Sequence, residues 1–198
     1  MQTYFDTDSE SQRIFVLYGL GGTGKSQLAF KFVDESQKAK RYCVVNDITT
    51  SEMLTNPFFS FSEIFYIDAT NEQTIQTDLE ALIPGNAERS VDAGLRWLAK
   101  QPNGNWLIYF DNADDVNLKL KKFFPRSESG NILVTTRNRE LRHYTGRDAD
   151  ANVTGMDHED ATTLLLRQAR AEGSDENKAL AGEIVQVLLW SLAHCLRV

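Results

Sequence analysis

The chain has 198 residues, of which 41% are hydrophobic and 25% charged, the composition of a globular protein with one domain and a smaller addition. Two cysteines, Cys43 and Cys195, exclude a disulfide scaffold and a metal site built from paired cysteines. The net charge of −7 argues against nucleic-acid binding. The N-terminus is acidic, which argues against a targeting signal because such signals are basic. The longest apolar stretch, 184–196, is too short to span a bilayer. We therefore expect a cytoplasmic protein with neither a nucleic-acid nor a membrane partner.

Short apolar runs alternate with longer amphipathic stretches through most of the chain. The runs 14–18, 64–67, 106–110 and 132–134 are β-prone and continuously apolar, as strands buried on both faces of a parallel sheet are. Helical spacing of apolar residues predicts helices over 26–36, 74–83 and 90–100. This alternation predicts an α/β fold, a three-layer sandwich with a mainly parallel sheet. Beyond Thr154 the strands stop, and two helices are predicted over 157–170 and 177–193.

The first run leads into a complete phosphate-binding motif. Residues 19–26 satisfy G-x-x-x-x-G-K-[ST], with a predicted strand before them and a predicted helix after them. The glycines allow backbone N–H groups to surround a phosphate, Lys25 reaches the β and γ phosphates, and the Ser26 hydroxyl ligates Mg²⁺. We predict that the nucleotide is bound by Gly19, Gly21, Gly22, Thr23, Gly24, Lys25, Ser26 and Gln27.

The third run ends in a carboxylate, Asp111. At the carboxyl end of a parallel strand it would hold Mg²⁺ through water, as a Walker-B aspartate does. Asn112 follows, where many ATPases place a second acid that polarises the attacking water, so we expect slow turnover. Asp114 and Asp115 are expected to cap a following helix, and Lys119, Lys121 and Lys122 to form its solvated face.

The fourth run ends in Thr135-Thr136-Arg137, which predicts a hydroxyl and a guanidinium beside the Mg²⁺ and the γ-phosphate. We therefore assign Lys25, Asp111 and Arg137 as the groups that would act on the phosphates. Ser26 and Asp111 are the predicted metal ligands, and Arg137 is also a predicted nucleotide contact.

In this order the three motifs resemble the loop, kinase-2 and sensor-1 motifs of NB-ARC domains, which are nucleotide-binding domains of the STAND class in plant resistance proteins, apoptotic adaptors and fungal NOD-like proteins. The sequence Phe-Asp-Asn-Ala-Asp at 110–114 is similar to the version in fungal proteins that carry tetratricopeptide repeats. The resemblance implies a P-loop NTPase fold that binds ADP or ATP with Mg²⁺. It also implies a switch that ADP holds closed and that self-associates, in the full-length protein, when ATP replaces ADP.

The resemblance also divides the chain. It predicts an N-terminal tail over 1–12, a nucleotide-binding domain over 13–154, and a helical subdomain over 155–198. We expect this subdomain to be truncated, since 187–192 reads Val-Leu-Leu-Trp-Ser-Leu where the family's Gly-Leu-Pro-Leu-Ala motif would stand. The residues leave open an ATP-dependent small-molecule kinase, another P-loop ATPase with weak turnover, or a truncated product with impaired nucleotide binding. A GTPase is disfavoured because no Asn-Lys-x-Asp stretch exists to recognise guanine.

Residues 42–60 are predicted to be an insertion. We expect the preceding helix to end at 38–41, and the stretch that follows has neither helical nor strand periodicity, yet holds the apolar pairs 53–54 and 58–59. Its codons are compatible with a retained intron that keeps the reading frame, and the alternative is a genuine loop. The intron hypothesis predicts that deleting 42–60 raises the melting temperature.

Overall fold

A computed structural model describes residues 1–5, 11–45, 61–85, 88–101, 105–171 and 174–195. The strands are β1 Arg13–Tyr18, β2 Glu63–Asp68, β3 Trp106–Asp111, β4 Asn131–Thr136 and β5 Asp150–Asn152. The helices are α1 Gln2–Phe5, α2 Lys25–Val45, α3 Glu72–Ala81, α4 Val91–Ala99, α5 His158–Ala169 and α6 Asp175–Cys195. Two 3-10 segments flank β4, Leu120–Phe123 and Arg139–Tyr144. The chain divides into two compact units, Met1–Val153 and Thr154–Val198.

The five strands form one parallel sheet in the order β2-β3-β4-β1-β5. This confirms the predicted α/β class with a parallel sheet. Because β3, β4 and β1 are neighbours and parallel, the segments that follow them leave the same edge of the sheet side by side. The three sequence motifs lie in these segments.

Both faces of the sheet are buried, which explains the continuously apolar runs. Along β3 the residues alternate between two cores: Trp106, Ile108 and Phe110 pack with residues of α3 and α4, whereas Leu107 and Tyr109 pack with residues of α1 and α2. Helices therefore cover the sheet on both sides, as the three-layer prediction requires.

The helix after the phosphate-binding loop is longer than predicted. It runs past Arg41, the expected end, to Val45, so the expectation that helical structure stops before Tyr42 is wrong. Residues 34–41 are almost all polar or charged and 42–45 read Tyr-Cys-Val-Val, so no apolar period of a helix reveals its length. The rest of the predicted insertion, 46–60, lies outside the described residues, and the insertion stays a prediction.

Two elements were missed by the sequence analysis. The predicted tail contains α1, whose Phe5 is fully buried, and the ring of Phe5 stacks on Phe32 and meets Phe61 edge-on, each with centroids 5.7 Å apart. Strand β5 pairs with β1 over three residues. Both elements are too short for periodicity to reveal them, and they are held by tertiary contacts.

The second unit consists of α5 and α6, within two residues of the predicted helices. Asp157 caps α5, its Oδ1 accepting a hydrogen bond from the Asp160 N–H at 2.8 Å. The His158 ring lies 3.1 Å from the Gly182 carbonyl oxygen of α6. Over the described residues, no helix combines the length and the hydropathy that crossing a membrane requires.

Candidate nucleotide-binding site

The glycine-rich loop joins β1 to α2 at the carboxyl edge of the sheet. Its first residue, Gly19, donates its N–H to the Thr136 carbonyl at 3.2 Å, which ties the loop to the end of β4. Gly22 and Gly24 adopt φ of +77° and +88°, a region that favours glycine. Thr23 closes the turn by donating its hydroxyl to the Leu20 carbonyl at 3.0 Å. The loop therefore ends at the positive N-terminus of α2, an arrangement suited to an anion.

Lys25 lies across the loop that precedes it. Its Nζ donates to the carbonyl oxygens of Gly19 at 3.0 Å and Leu20 at 2.7 Å. Burial lowers the pKa of this ammonium group, and the charge of Asp114 acts in the opposite direction. The Lys25 ammonium group thus lies within the loop, where it would contact bound phosphates.

Asp111 is held at the end of β3 by hydroxyl groups from four segments. Its Oδ1 accepts hydrogen bonds from Thr135 Oγ1 at 2.5 Å, Tyr109 OH at 2.6 Å and Ser26 Oγ at 2.8 Å. Its Oδ2 faces Tyr66 OH at 3.3 Å. One carboxylate oxygen therefore accepts three hydrogen bonds, whereas the other has a single long contact.

These hydrogen bonds decide the charge of Asp111. Burial alone would raise its pKa, but the four hydroxyl donors outweigh burial and hold the pKa of Asp111 below its ordinary value. An ionised carboxylate beside a serine hydroxyl is a set of hard oxygen donors of the kind that Mg²⁺ prefers. Ser26 and Asp111, the two predicted metal ligands, are therefore brought together in a form that fits the ion.

Two tyrosines that the sequence analysis did not single out complete this arrangement. Burial raises the pKa of Tyr109, as does its bond to Asp111, and burial with the charge of Asp111 raises the pKa of Tyr66 to about 12. Both phenols therefore stay protonated and act as donors at neutral pH. Phe30 of α2 fixes their rings, stacking on Tyr66 with centroids 5.9 Å apart and meeting Tyr109 edge-on at 5.6 Å.

Arg137 follows β4 and is paired with Asp114. Its backbone N–H donates to Asp114 Oδ1 at 2.6 Å, and its Nε donates to Asp114 Oδ2 at 2.5 Å. The Asp114 side chain is 14% exposed and that of Arg137 60%. The prediction that Asp114 caps a helix is wrong: no helix begins there, and the carboxylate bridges instead to β4. Asp115 bonds only to the local turn, accepting from the Asn117 N–H at 2.8 Å.

A pocket of about 450 Å³ opens over the loop. Of the predicted nucleotide contacts, those that line it are Gly21, Gly22, Gly24, Lys25, Ser26, Gln27 and Arg137. Asn112, Asp114 and Thr135 also line it. Three predicted residues do not line the pocket: Gly19, Thr23 and Asp111. Asp111 is connected to the pocket by the hydrogen bond that it accepts from Ser26, which does line it.

The described part of the chain contains no group of three or more histidine, cysteine, aspartate or glutamate side chains arranged to hold a metal ion. A hydroxyl of the segment 135–137 was expected beside the metal. The Thr135 hydroxyl donates to the Asp111 carboxylate, and the Thr136 hydroxyl donates to the Ala113 carbonyl. Asp114, Tyr66 and Tyr109 are the residues that sequence reasoning missed. Asp114 and Tyr66 act through partners on other segments, and no local motif signals such a pairing. Tyr109 lies two residues before Asp111 on β3, so the alternation of side chains along that strand could have placed the two on one face.

A glycine-rich loop that opens a helix beside a parallel strand ending in a carboxylate defines a nucleotide-binding domain of the P-loop class. The model of the NB-ARC domain family matches residues 2–175, and the chain belongs to this family. A nucleotide-binding leucine-rich repeat (NLR)-like protein of Hyaloscypha variabilis is 23% identical over 181 residues, and the match covers 80% of this chain and 16% of that protein. A solved structure of a STAND protein with a tetratricopeptide repeat sensor, from Pyrococcus horikoshii, is 17% identical with a TM-score of 0.42, covering 86% of this chain and 25% of that one.

Proposed function

We propose that the domain binds ADP or ATP with Mg²⁺ and acts as a signalling switch with slow or no ATP hydrolysis. The observation that carries the proposal is the 2.8 Å hydrogen bond from Ser26 Oγ to Asp111 Oδ1, beside the phosphate-binding loop. It joins the hydroxyl of the loop motif to the carboxylate of the second motif across 85 residues of sequence. Family membership supports nucleotide binding, and the two side chains supply a metal position next to it.

Each residue has a separate role in this proposal. The loop N–H groups and Lys25 hold the phosphates, and Ser26 with Asp111 holds Mg²⁺, which neutralises charge on the β and γ phosphates when bound. Arg137 borders the same pocket as Lys25. Its guanidinium suits a terminal phosphate, so Arg137 is the residue through which ATP would be distinguished from ADP.

Asn112 supports slow hydrolysis. It borders the pocket with a neutral amide, and its Nδ2 donates to Thr70 Oγ1 at 3.2 Å. An amide cannot accept a proton from an attacking water in the way that a carboxylate does. A slow reaction suits a switch, since the bound nucleotide then determines the state for long periods.

The switch would work within a longer protein. The chain spans 16% of the length of the curated relative that it matches. We propose that exchange of ADP for ATP permits self-association of the full-length protein. In this proposal the nucleotide-binding domain covers 13–154, the helical subdomain covers 155–198, and nucleotide exchange changes the state of both.

The binding proposal is tested by Lys25→Ala. Removing one charge-assisted phosphate contact should cost about 1.5–3 kcal/mol, roughly ten- to a hundredfold in affinity. Calorimetry with ADP, ATP and GTP, each with Mg²⁺, measures this. Lys31→Ala is the matched control, because Lys31 lies on the same helix with a 73% exposed side chain. Unchanged ADP affinity in Lys25→Ala would contradict the proposal, and GTP binding as tight as that of ATP would contradict the choice of adenine.

The hydrolysis proposal is tested by Asn112→Asp. Asn112 has φ of +64°, a conformation that aspartate also tolerates, so this variant should fold and bind nucleotide as the parent does. A carboxylate at this position should raise the rate of phosphate release from ATP. A parent rate on the order of 10 s⁻¹, which is the median for enzymes, would show that hydrolysis is not slow.

A further inference from the structure

A second cleft, of about 1030 Å³, opens at the opposite edge of the sheet from the nucleotide site. It is bordered by Gln12 and Ile14, at the start of β1, whereas the phosphate-binding loop follows the end of that strand. Gln12 fixes this end of the cleft, since its Nε2 donates to the Pro125 carbonyl at 3.0 Å. Nothing in the proposed nucleotide function uses this region.

One face of α4 forms the first wall of the cleft. Asp92, Leu95, Arg96 and Ala99 line it at the spacing of a single helical face. The segment before β4 forms the other wall and contributes Lys119, Lys121, Lys122 and Arg126. Between the walls lie apolar surfaces of Ile14, Phe124 and Tyr144. The cleft therefore has a positive rim and an apolar floor.

The rim of the cleft is positively charged, whereas the chain as a whole is negatively charged. Three lysines and two arginines line the cleft with one carboxylate, Asp92, although the whole chain carries 28 acidic and 21 basic residues. The three lysines and Arg126 are exposed, and no ion pair identified between described residues includes any of the five cations. Like charges gathered in one cleft repel each other, and an anionic ligand would relieve that repulsion.

We propose that this basic cleft binds an acidic peptide segment of a partner protein, one in which carboxylates alternate with apolar side chains. Charge complementarity accounts for the carboxylates, and the floor of Ile14, Phe124 and Tyr144 accounts for the apolar residues, which gain free energy by burial there. A single phosphate would leave the floor uncovered. A nucleic acid is disfavoured because the whole chain, with this small rim included, has a net charge of −7.

The probe for this proposal is a fluorescent synthetic peptide of about twelve residues, long enough to cross the cleft, in which glutamates alternate with leucines and phenylalanines. Fluorescence anisotropy measures its affinity for the full chain. Two comparison peptides replace either all glutamates by glutamine or all apolar residues by glutamate. The mixed peptide should bind more tightly than both, and added salt should weaken its binding.

The matching protein variant carries Lys119→Gln, Lys121→Gln and Lys122→Gln, and affinity for the mixed peptide should fall about tenfold. The control variant carries Arg139→Gln, Arg147→Gln and Lys178→Gln, three exposed cations elsewhere, and should change affinity less than about twofold.

Circular dichroism checks that both variants fold. If the triple lysine variant does not fold, Arg126→Gln replaces it. Equal binding to variant and parent, or absence of binding, would overturn the proposal. So would an all-glutamate peptide or an RNA oligonucleotide that binds as tightly as the mixed peptide, because neither uses the floor.

Discussion

The neighbouring strands β3 and β4 lead to two charged residues of the nucleotide site, Asp111 at the end of β3 and Arg137 directly after β4, and the two charges are held very differently. Asp111 faces hydroxyls from four segments, with three of them on one oxygen. Arg137 is held by one carboxylate, that of Asp114, and its side chain is 60% exposed. The anionic position is therefore fixed before a ligand arrives, whereas the cationic position depends on one exchangeable ion pair. In the proposed switch, Asp111 would keep its position in both nucleotide states, whereas the side chain of Arg137 would move.

The largest effect is expected from Asp111→Asn, which removes the fixed charge. The amide keeps the shape but should abolish the gain in ATP affinity that Mg²⁺ provides, a loss of about 1.5–3 kcal/mol or roughly ten- to a hundredfold. Titrations of ATP with Mg²⁺ and with excess chelator measure that gain. Asp115→Asn, which alters an exposed carboxylate of the next turn, should leave it unchanged.

The same variant should change the acid stability of the domain. The pKa of Asp111 lies below its unfolded value, so its ionised form stabilises the fold at neutral pH, and this contribution is lost as the pH falls through the folded pKa. The parent should therefore lose stability below about pH 4, and Asp111→Asn should lose less over that range. Urea unfolding at a series of pH values measures this, and identical acid profiles would show that Asp111 is not held as described.

A smaller effect is expected from Tyr109→Phe, which removes one of the three donors on Asp111 Oδ1. The free energy of unfolding should fall by about 1–2 kcal/mol, and the Mg²⁺-dependent gain in ATP affinity should fall by less than in Asp111→Asn. Tyr144→Phe serves as the control, since its ring contacts Phe124 away from this carboxylate. If both phenylalanine variants behave alike, the hydroxyl of Tyr109 does not hold Asp111.

The smallest effect is expected from Asp114→Asn, which frees the exposed guanidinium of Arg137. The amide oxygen can still accept the Arg137 N–H, but the ion pair, worth about 0.2–1 kcal/mol at this exposure, is lost. Arg137 then becomes available to a terminal phosphate. The ratio of ATP to ADP affinity should rise about 1.5- to 5-fold in calorimetry. A ratio that stays constant, or falls, would mean that Asp114 does not compete for Arg137.

The sequence analysis predicted the parts of the site that lie within one segment. The loop motif is local, and buried parallel strands are recognisable from their apolar runs, so the sheet and the position of Lys25, Ser26 and Asp111 followed from the residues alone. The contact of Tyr66 with Asp111 depends on the register of β2 against β3, which pairs Tyr66 with Tyr109. Local periodicity carries no information about such a register, and for the same reason the pairing of Asp114 with Arg137 was missed.

The strand order described above has a consequence for synthesis of the protein on the ribosome. β1, which leads into the phosphate-binding loop, pairs only with β4 and β5 among the described strands. More than a hundred residues separate β1 from β4, and at usual translation speeds this interval lasts on the order of ten seconds. Strand β1, whose Phe15, Val16 and Leu17 are buried in the fold, therefore waits without a partner strand while the middle of the domain is made. We expect the domain to fold late in translation, and to depend on chaperones that cover β1 until its neighbours emerge.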